Sequence, residues 1–398
     1  MKIIINSKEI SNIIDRAAAC ATAKTHFAAL ECVQLSAYGG EVEALASNIT
    51  ESVRIWFPAE IIEEGTVLVT VPDWKKLLKA DGMITIESVE NTVKLTSAKK
   101  KSSIIAVTDD MPEFPTVPQE NPIFTAPVDE LTEIFKKLNP CVSRNDSRPT
   151  TCGYHIYGNS AQDMVKIVAV DGFHLMRKTS TYPASGKFDI IIPEPINKSL
   201  AKIAGKSGNV TVYADRKHTS FIGKDFAYTV RNIEGEALNE NNVIPTSSAG
   251  EFHVDAADVA KIAKDYIKTI GGKDAVVKVP LRLFAGEGKL ILAMTHNGYS
   301  TTDEVEISES NIPTHASRFP GYYMSIFSPV YTADIFGNLD GNITVKFGNQ
   351  YAPVMIESNG YIGLLLPARE GKCDEYPYIT TNNLAVLAGI IDSVGEIA

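Results

Sequence analysis

The sequence predicts an α+β protein built from three like segments, and two recurring blocks predict it. Three stretches open on a short apolar strand, a polar break and a helix: IIINSKEISNIIDRAAA (3–19), IFTAPVDELTEIFKKL (123–138) and EFHVDAADVAKIAKDYI (251–267). A second block of strand, helix, turn and strand follows in each. These are VLVTVPDWKKLLKADGMITIES (67–88), FDIIIPEPINKSLAKIAGKSGNVTVYAD (188–215) and YYMSIFSPVYTADIFGNLDGNITVKFGN (322–349). Each third then closes on strand-like sequence: SSIIAV (102–107), FAYTVRN (226–232) and GYIGLLLP (360–367). Matching points recur every 120 to 135 residues or about one domain. Two blocks kept in the same order three times argue against chance, although no residue is shared strictly.

Proline-rich or small-residue connectors fall between the thirds, at DDMPEFPTVPQENP (109–122) and VIPTSSAGE (243–251). They place domains at 1–120, 121–249 and 250–370, with an extension at 371–398. In the third segment Val259, Ile262, Ala263, Tyr266, Ile267 and Ile270 share one helix face, and Lys261, Lys264 and Lys268 the opposite one. Helix 73–79 sets Trp74, Leu77 and Leu78 against Lys76 and Lys79. Ile196, Leu200 and Ile203 oppose Lys198 and, less squarely, Lys202. Helix 128–138 carries Lys136 and Lys137 away from Leu131, Ile134 and Leu138. Helix 329–339 is the exception, with Asp334 and no lysine. Lysine is ordinary on any one solvated helix face. Its recurrence in a chain of net charge −10 puts the acid elsewhere and suits a surface facing an anionic polymer.

Hydrophobic content of 44% and charged content of 22% are those of a globular protein. The start, MKIIINSKEI, lacks a signal's apolar core, and no apolar run approaches a membrane span. Cys20, Cys32, Cys141, Cys152 and Cys373 are scattered without a CxxC, which predicts reduced thiols in a cytoplasm and no metal or cofactor. The net charge argues against bulk electrostatic adhesion to nucleic acid, but leaves room for positive charge kept on one surface.

The stretch that looks most like chemistry is VAVDGFHLMRK (168–178), where a strand runs into Asp171-Gly172 and His174 follows. Read alone, it is a catalytic acid–histidine pair, a metal site or a turn. An enzyme acting on nucleic acid is one competing reading of the whole chain. Against it, no His-x-Glu, Asp-x-Asp pair or phosphate loop stands at a strand–helix junction, and GGKD (271–274) is too short for a nucleotide loop. A repeated structural protein, such as a virion component, is another; it has no use for lysine-faced helices.

From Met1 to about Arg369 the chain resembles the bacterial DNA polymerase III beta subunit, the sliding clamp. VAVDGFHL stands where clamps carry a strand followed by Thr-Asp-Gly-His-Arg-Leu. FDIIIPEPINKSLAKI resembles the strand–Pro–helix block of the middle domain, and YTVRNIEGEALNENNVIP the segment after it. PVMIES followed by LLLPAR resembles the closing strands, and MPEFP the first domain boundary. The resemblance implies three clamp domains with helices inside and antiparallel sheets outside, and two chains joined head to tail in a ring around double-stranded DNA. It implies a non-catalytic processivity factor. A closed ring needs no tight grip on phosphates, so sparse lysines suffice.

The resemblance also implies a partner-peptide pocket used by polymerase, clamp loader and repair proteins. Carried over, that pocket takes Thr151, Val170, Gly172, Phe173, His174 and Leu175, then Leu238, Asn242 and Val243. Pro353, Leu364, Leu365, Leu366, Pro367, Ala368 and Arg369 complete it. On this reading Asp171-Gly172 is a strand-ending turn. Departures are plain: Ala237-Leu238-Asn239-Glu240 replaces the family's Phe-Pro-Asp-Tyr, Asn242 its basic residue, and Phe173-His174 its His-Arg pair. Pro149 and Thr150 stand where clamps often show tyrosines to DNA, while Arg148 and Lys24 keep basic positions there. The implied ring joint sets the edge strand near Ile104 and Ala106 against the partner chain's helix near Tyr266 and Ile267. The tail 371–398 goes beyond the usual clamp end. Leu384, Leu387, Ile390, Ile391 and Val394 have helical spacing, read either as a helix packed on the third domain or as a gate over the pocket.

Overall fold

The structure, a computed structural model, describes residues 1–113, 115, 117, 119–145, 147–159, 164–205, 208–272, 279–296, 299–313 and 322–368. It is α+β, 22% helical and 44% strand. Helices follow strands where the repeated blocks predict them: α1 (Ser7–Ala17), α2 (Val71–Leu77), α3 (Val128–Leu138), α4 (Ile196–Ala204), α5 (Ala256–Thr269) and α6 (Pro329–Phe336).

Local chemistry starts and stops these helices. The Asn6 side chain accepts from Lys8 N at 3.0 Å and caps α1; Asp255 caps α5 by accepting from Ala257 N at 2.8 Å. Thr70 caps α2 by accepting from Asp73 N at 3.2 Å, so α2 begins at Val71, ahead of the expected 73, with Pro72 tolerated in its first turn. Gly205, at φ 72°, ends α4. The apolar faces are buried as the spacing predicts: Ile10, Ile13 and Ile14 in α1, Trp74 and Leu77 in α2, Ile196, Leu200 and Ile203 in α4, and Val259, Ala263, Tyr266 and Ile267 in α5.

The chain packs as two compact units. The first comprises Met1–Lys136, Gly153–Val165 and Thr181–Gly235. It holds a five-stranded antiparallel sheet in the order Glu60–Glu63, Lys2–Asn6, Met83–Val89, Thr92–Thr96, Lys101–Ile105, which leaves Lys101–Ile105 on an edge. Its eight-stranded sheet is continuous across the first two sequence repeats, because Phe226–Arg231 pairs with Glu51–Phe57 in the register Phe226↔Ile55. Arg16 of α1 donates from Nε to Ile203 O of α4 at 2.6 Å and pairs with Asp225 at 2.7 Å. Beneath the sheet Glu51, 4% exposed, accepts from the Tyr228 hydroxyl and from Asn48 Nδ2 at 3.1 Å.

The second unit comprises Lys137–Cys152, Lys166–Ser180 and the chain from Glu236 onward. In it Lys166–Val170 pairs with the strand His174–Thr179, and that strand pairs in turn with Tyr361–Leu365, His174 opposite Leu365 and Lys178 opposite Tyr361. The ladder continues through Val354–Ser358, Asn342–Phe347, Gly250–Asp255 and Ser308–Asn311. A four-stranded sheet, in the order Tyr299–Glu306, Lys289–His296, Leu281–Gly286, Tyr323–Phe327, carries Tyr299–Glu306 on an edge. Helices α5 and α6 pack on each other, and Tyr323 stacks on Phe347 with ring centroids 4.0 Å apart. Strand continuation across the repeat boundaries is what makes packing units and sequence repeats different partitions of the same chain.

Candidate functional site

The reversal at Asp171-Gly172 is the centre of the site, and its geometry is that of a turn. Asp171 Oδ1 accepts from Phe173 N at 2.8 Å and His174 N at 2.9 Å, and Gly172 sits at φ +95°, a conformation open to glycine. His174 is 1% exposed with Nδ1 3.0 Å from Asp171 Oδ1. Burial alone would raise the Asp171 carboxyl, but hydrogen bonds from the His174 ring and the two backbone N–H groups outweigh it and hold it below the usual value. The acid is committed to the turn, and the imidazole is buried rather than presented to a substrate.

The turn forms one wall of a cleft of about 950 Å³. Tyr331 of α6 forms another: the His174 ring stacks on it at 4.5 Å and the Phe173 ring at 5.6 Å, nearly parallel. Phe173 is 58% exposed, a large apolar side chain held in the open. The third wall is the loop 139–148, including Val142, Arg144, Asn145 and Arg148. That loop is tied by its own bonds, Ser143 N donating to Thr151 O at 2.9 Å and the Thr151 hydroxyl donating to Arg148 O at 2.8 Å. Arg144 and Arg148 are exposed, while Asp171 and Asp334 supply the cleft's negative charge. Burial, then the charges of Asp171 and Asp334, push the Tyr331 hydroxyl up. Among the described residues the cleft offers aromatic walls and a basic rim.

Of the residues predicted for the pocket, Gly172, Phe173 and His174 line this cleft, and Thr151 holds the loop behind it. Leu175, Leu364 and Leu365 are buried in the ladder beneath, with Val170 paired to Leu175. Leu366 is 39% exposed and its N–H donates to Phe173 O at 3.1 Å, while Ala368 N donates to Ile326 O at 2.8 Å, so the residues after the closing strand are tied to the turn and to the strand Tyr323–Phe327. Leu238, Asn242 and Val243 are exposed, and Pro353 half-buried, without lining the cleft. Their segment is anchored by Glu240, 2% exposed and 3.7 Å from Arg177. Arg369, the tail 371–398, Phe114 of MPEFP, and Lys273 and Asp274 of GGKD lie outside the described residues. Tyr331, Val330, Asp334 and Arg144 were not read from sequence; the aromatic on an otherwise lysine-free helix was the signal available.

Among the lysines, Lys24, Lys76, Lys79, Lys136, Lys198, Lys202, Lys261, Lys264 and Lys268 are exposed, as is Arg148. Lys76 pairs with Asp73 at 2.8 Å and Lys268 with Asp265 at 3.0 Å, exposed pairs that leave the ammonium in water. Lys137 departs from expectation. Its side chain is 16% exposed, bound to Asp340 at 2.5 Å and lying 5.2 Å from the Tyr361 ring centre, so it is a structural cation. The residues expected at the joint lie on a buried helix face and on an edge strand. Tyr266 and Ile267 belong to the chain's own core, the Tyr266 hydroxyl bonding Leu292 O at 3.0 Å and Asp303 at 2.6 Å. On the edge strand Ile104 is half-buried beside a half-buried Ala106, and Ile105 is the exposed residue at 78%.

Burial pushes the Cys32 thiol up to about 12 and the Cys20 and Cys141 thiols well above their ordinary value. No helix among the described residues is long and apolar enough to cross a membrane.

No family model matches the sequence. The chain is 22% identical over 313 residues to the beta sliding clamp of Chlamydia muridarum, covering 75% of this chain and 85% of that protein. In structure it matches the beta subunit of the DNA polymerase of Streptococcus pyogenes with a TM-score of 0.85 at 17% identity, over 93% of this chain and 100% of that one. The Helicobacter pylori beta clamp, solved with a DNA ligase peptide, matches with a TM-score of 0.77 at 13% identity and the same coverage. What is shared at such identities is the fold: the chain folds as the bacterial beta sliding clamps do and is similar to them in sequence over three quarters of its length.

Proposed function

We propose that this chain is a DNA sliding clamp, a non-catalytic cytoplasmic subunit that encircles duplex DNA and tethers a polymerase to it. The observation that carries the reading is coverage: the whole of the Streptococcus pyogenes beta subunit is matched with a TM-score of 0.85. The three sequence repeats are its three clamp domains, and the exposed lysines of α2, α3, α4 and α5 are its loose, sliding contacts with phosphate. Retention comes from enclosure, so a net charge of −10 is no obstacle.

Two chains close the ring head to tail. Supporting this, the edge strand Lys101–Ile105 is preceded by Lys99 and Lys100, while the edge strand Tyr299–Glu306 carries Asp303, Glu304 and Glu306. Opposite charges on two edges unpaired among the described residues fit sheet continuation between copies, Glu306 being the acid without the local partners that Glu304 has in Lys289 and Asp303 in Tyr266. The cleft of Phe173, His174 and Tyr331 is the docking site for partner peptides; the Helicobacter pylori clamp holds a DNA ligase peptide.

The test compares nicked circular with linear DNA, the chain being loaded by a clamp loader. The clamp reading expects retention on the circle in high salt and loss from linear ends. Equal loss from both, or cleavage of either, overturns it.

A further inference from the structure

Leu366, two residues before the last described one, is bonded to Phe173 of the cleft, and 30 residues follow Ala368. The solved clamps of Streptococcus pyogenes and Helicobacter pylori are matched in full by 93% of this chain, so the chain carries sequence that they lack. We infer that this chain's own segment Asp374-Glu375-Tyr376-Pro377-Tyr378 docks in the cleft, its acids toward Arg144 and Arg148 and its tyrosines against Phe173 and Tyr331, and that partner peptides displace it. The inference rests on the reading of the cleft as a peptide-docking site.

Three observations carry it. The exit is fixed beside the site, since Leu366 N donates to Phe173 O at 3.1 Å and Ala368 N to Ile326 O at 2.8 Å. The reach is ample: the eight residues from Ala368 to Tyr376 extend about 26 Å at about 3.3 Å each, past a cleft of about 950 Å³. The chemistry is complementary. Arg144 and Arg148 are exposed and, among the described residues, hold no ion pair, and the first acids after the tail's Lys372 are Asp374 and Glu375. Two tyrosines flanking a proline follow, side chains of the kind that an aromatic-walled groove accepts. Phe173, 58% exposed, is the apolar surface they cover.

The test titrates a fluorescein-labelled peptide of residues 372–381, with Cys373→Ser, into the full chain and into a variant ending at Ala368. Binding to the shortened chain is expected, and binding to the full chain at least tenfold weaker, because a short tether holds the competing segment at an effective concentration on the order of millimolar. The full chain with Tyr376→Ala and Tyr378→Ala should bind the probe as the shortened one does, which guards against misfolding of the truncation. Equal affinity for full and shortened chains, or no binding to either, overturns the inference. Weakening that disappears on dilution assigns the segment to a second copy and also overturns it.

A parallel titration with the DNA ligase peptide separates the two readings. If it binds both chains equally, the tail inference falls and the docking site stands. If it binds neither chain while the tail probe still discriminates between them, partner docking falls and the tail contact stands.

Discussion

His174 and Tyr331 stack with ring centroids 4.5 Å apart and 28° from parallel, tying the turn after Asp171 to helix α6. One ring is 1% exposed and the other faces the cleft, so the pair couples core to docking wall. His174→Ala should lower stability by about 2 kcal/mol, and Tyr331→Ala by about 1 kcal/mol. Tyr331→Phe keeps the stacked ring and should fall within about 0.5 kcal/mol of the parent. Urea melts measure all three, and an unchanged midpoint in His174→Ala would remove the stack from the account.

Asp171 has its folded-state pKa depressed, so it stabilises the fold above its unfolded value of about 3.9 and ceases to as pH falls through the folded value. Asp171→Asn keeps an oxygen for the two N–H donors and loses only the charge. The gap in urea midpoint between parent and Asp171→Asn should be widest at pH 7 and shrink toward pH 3. A gap independent of pH would mean the charge contributes nothing.

Gly172→Ala isolates backbone strain. A methyl there would meet only Arg148 Nη1, at 3.8 Å, so φ +95° is the whole objection. The substitution should cost about 1–2 kcal/mol by thermal unfolding and weaken peptide docking as the turn shifts.

Tyr228→Phe strips a partner from the buried Glu51 carboxylate in the first unit. The loss should be about 1–3 kcal/mol, with docking at the cleft untouched. Chemical denaturation alongside peptide titration checks both halves.

Ile105→Asp places a charge on the 78% exposed residue of the edge strand. If that edge closes the ring, sedimentation should move from dimer to monomer at micromolar concentration. A dimer that persists would send the search for the joint elsewhere.

Much of this was legible in the chain itself. Val128–Leu138 lies where its apolar spacing put it, and the isoleucines of α1 and α4 are buried as 3.6-residue periodicity requires. Periodicity reports which face is buried, not what covers it. Tyr266 and Ile267 are an instance: their spacing marks the face as buried, and the chain's own Leu292 and Asp303 are found against it. The cleft was half-visible for the same reason. Asp171 to His174 are neighbours in sequence, whereas Tyr331 and Arg144 reach them only through folding, and no local pattern marks such a meeting. Lys137 looked like its neighbour Lys136 until Asp340, some two hundred residues on, was found beside it.

The ladder between His174–Thr179 and Tyr361–Leu365 has a consequence for biosynthesis. One wall of the cleft is knitted to a strand that lies almost two hundred residues further along the chain. A nascent chain therefore has no finished cleft until Tyr361–Leu365 has been made.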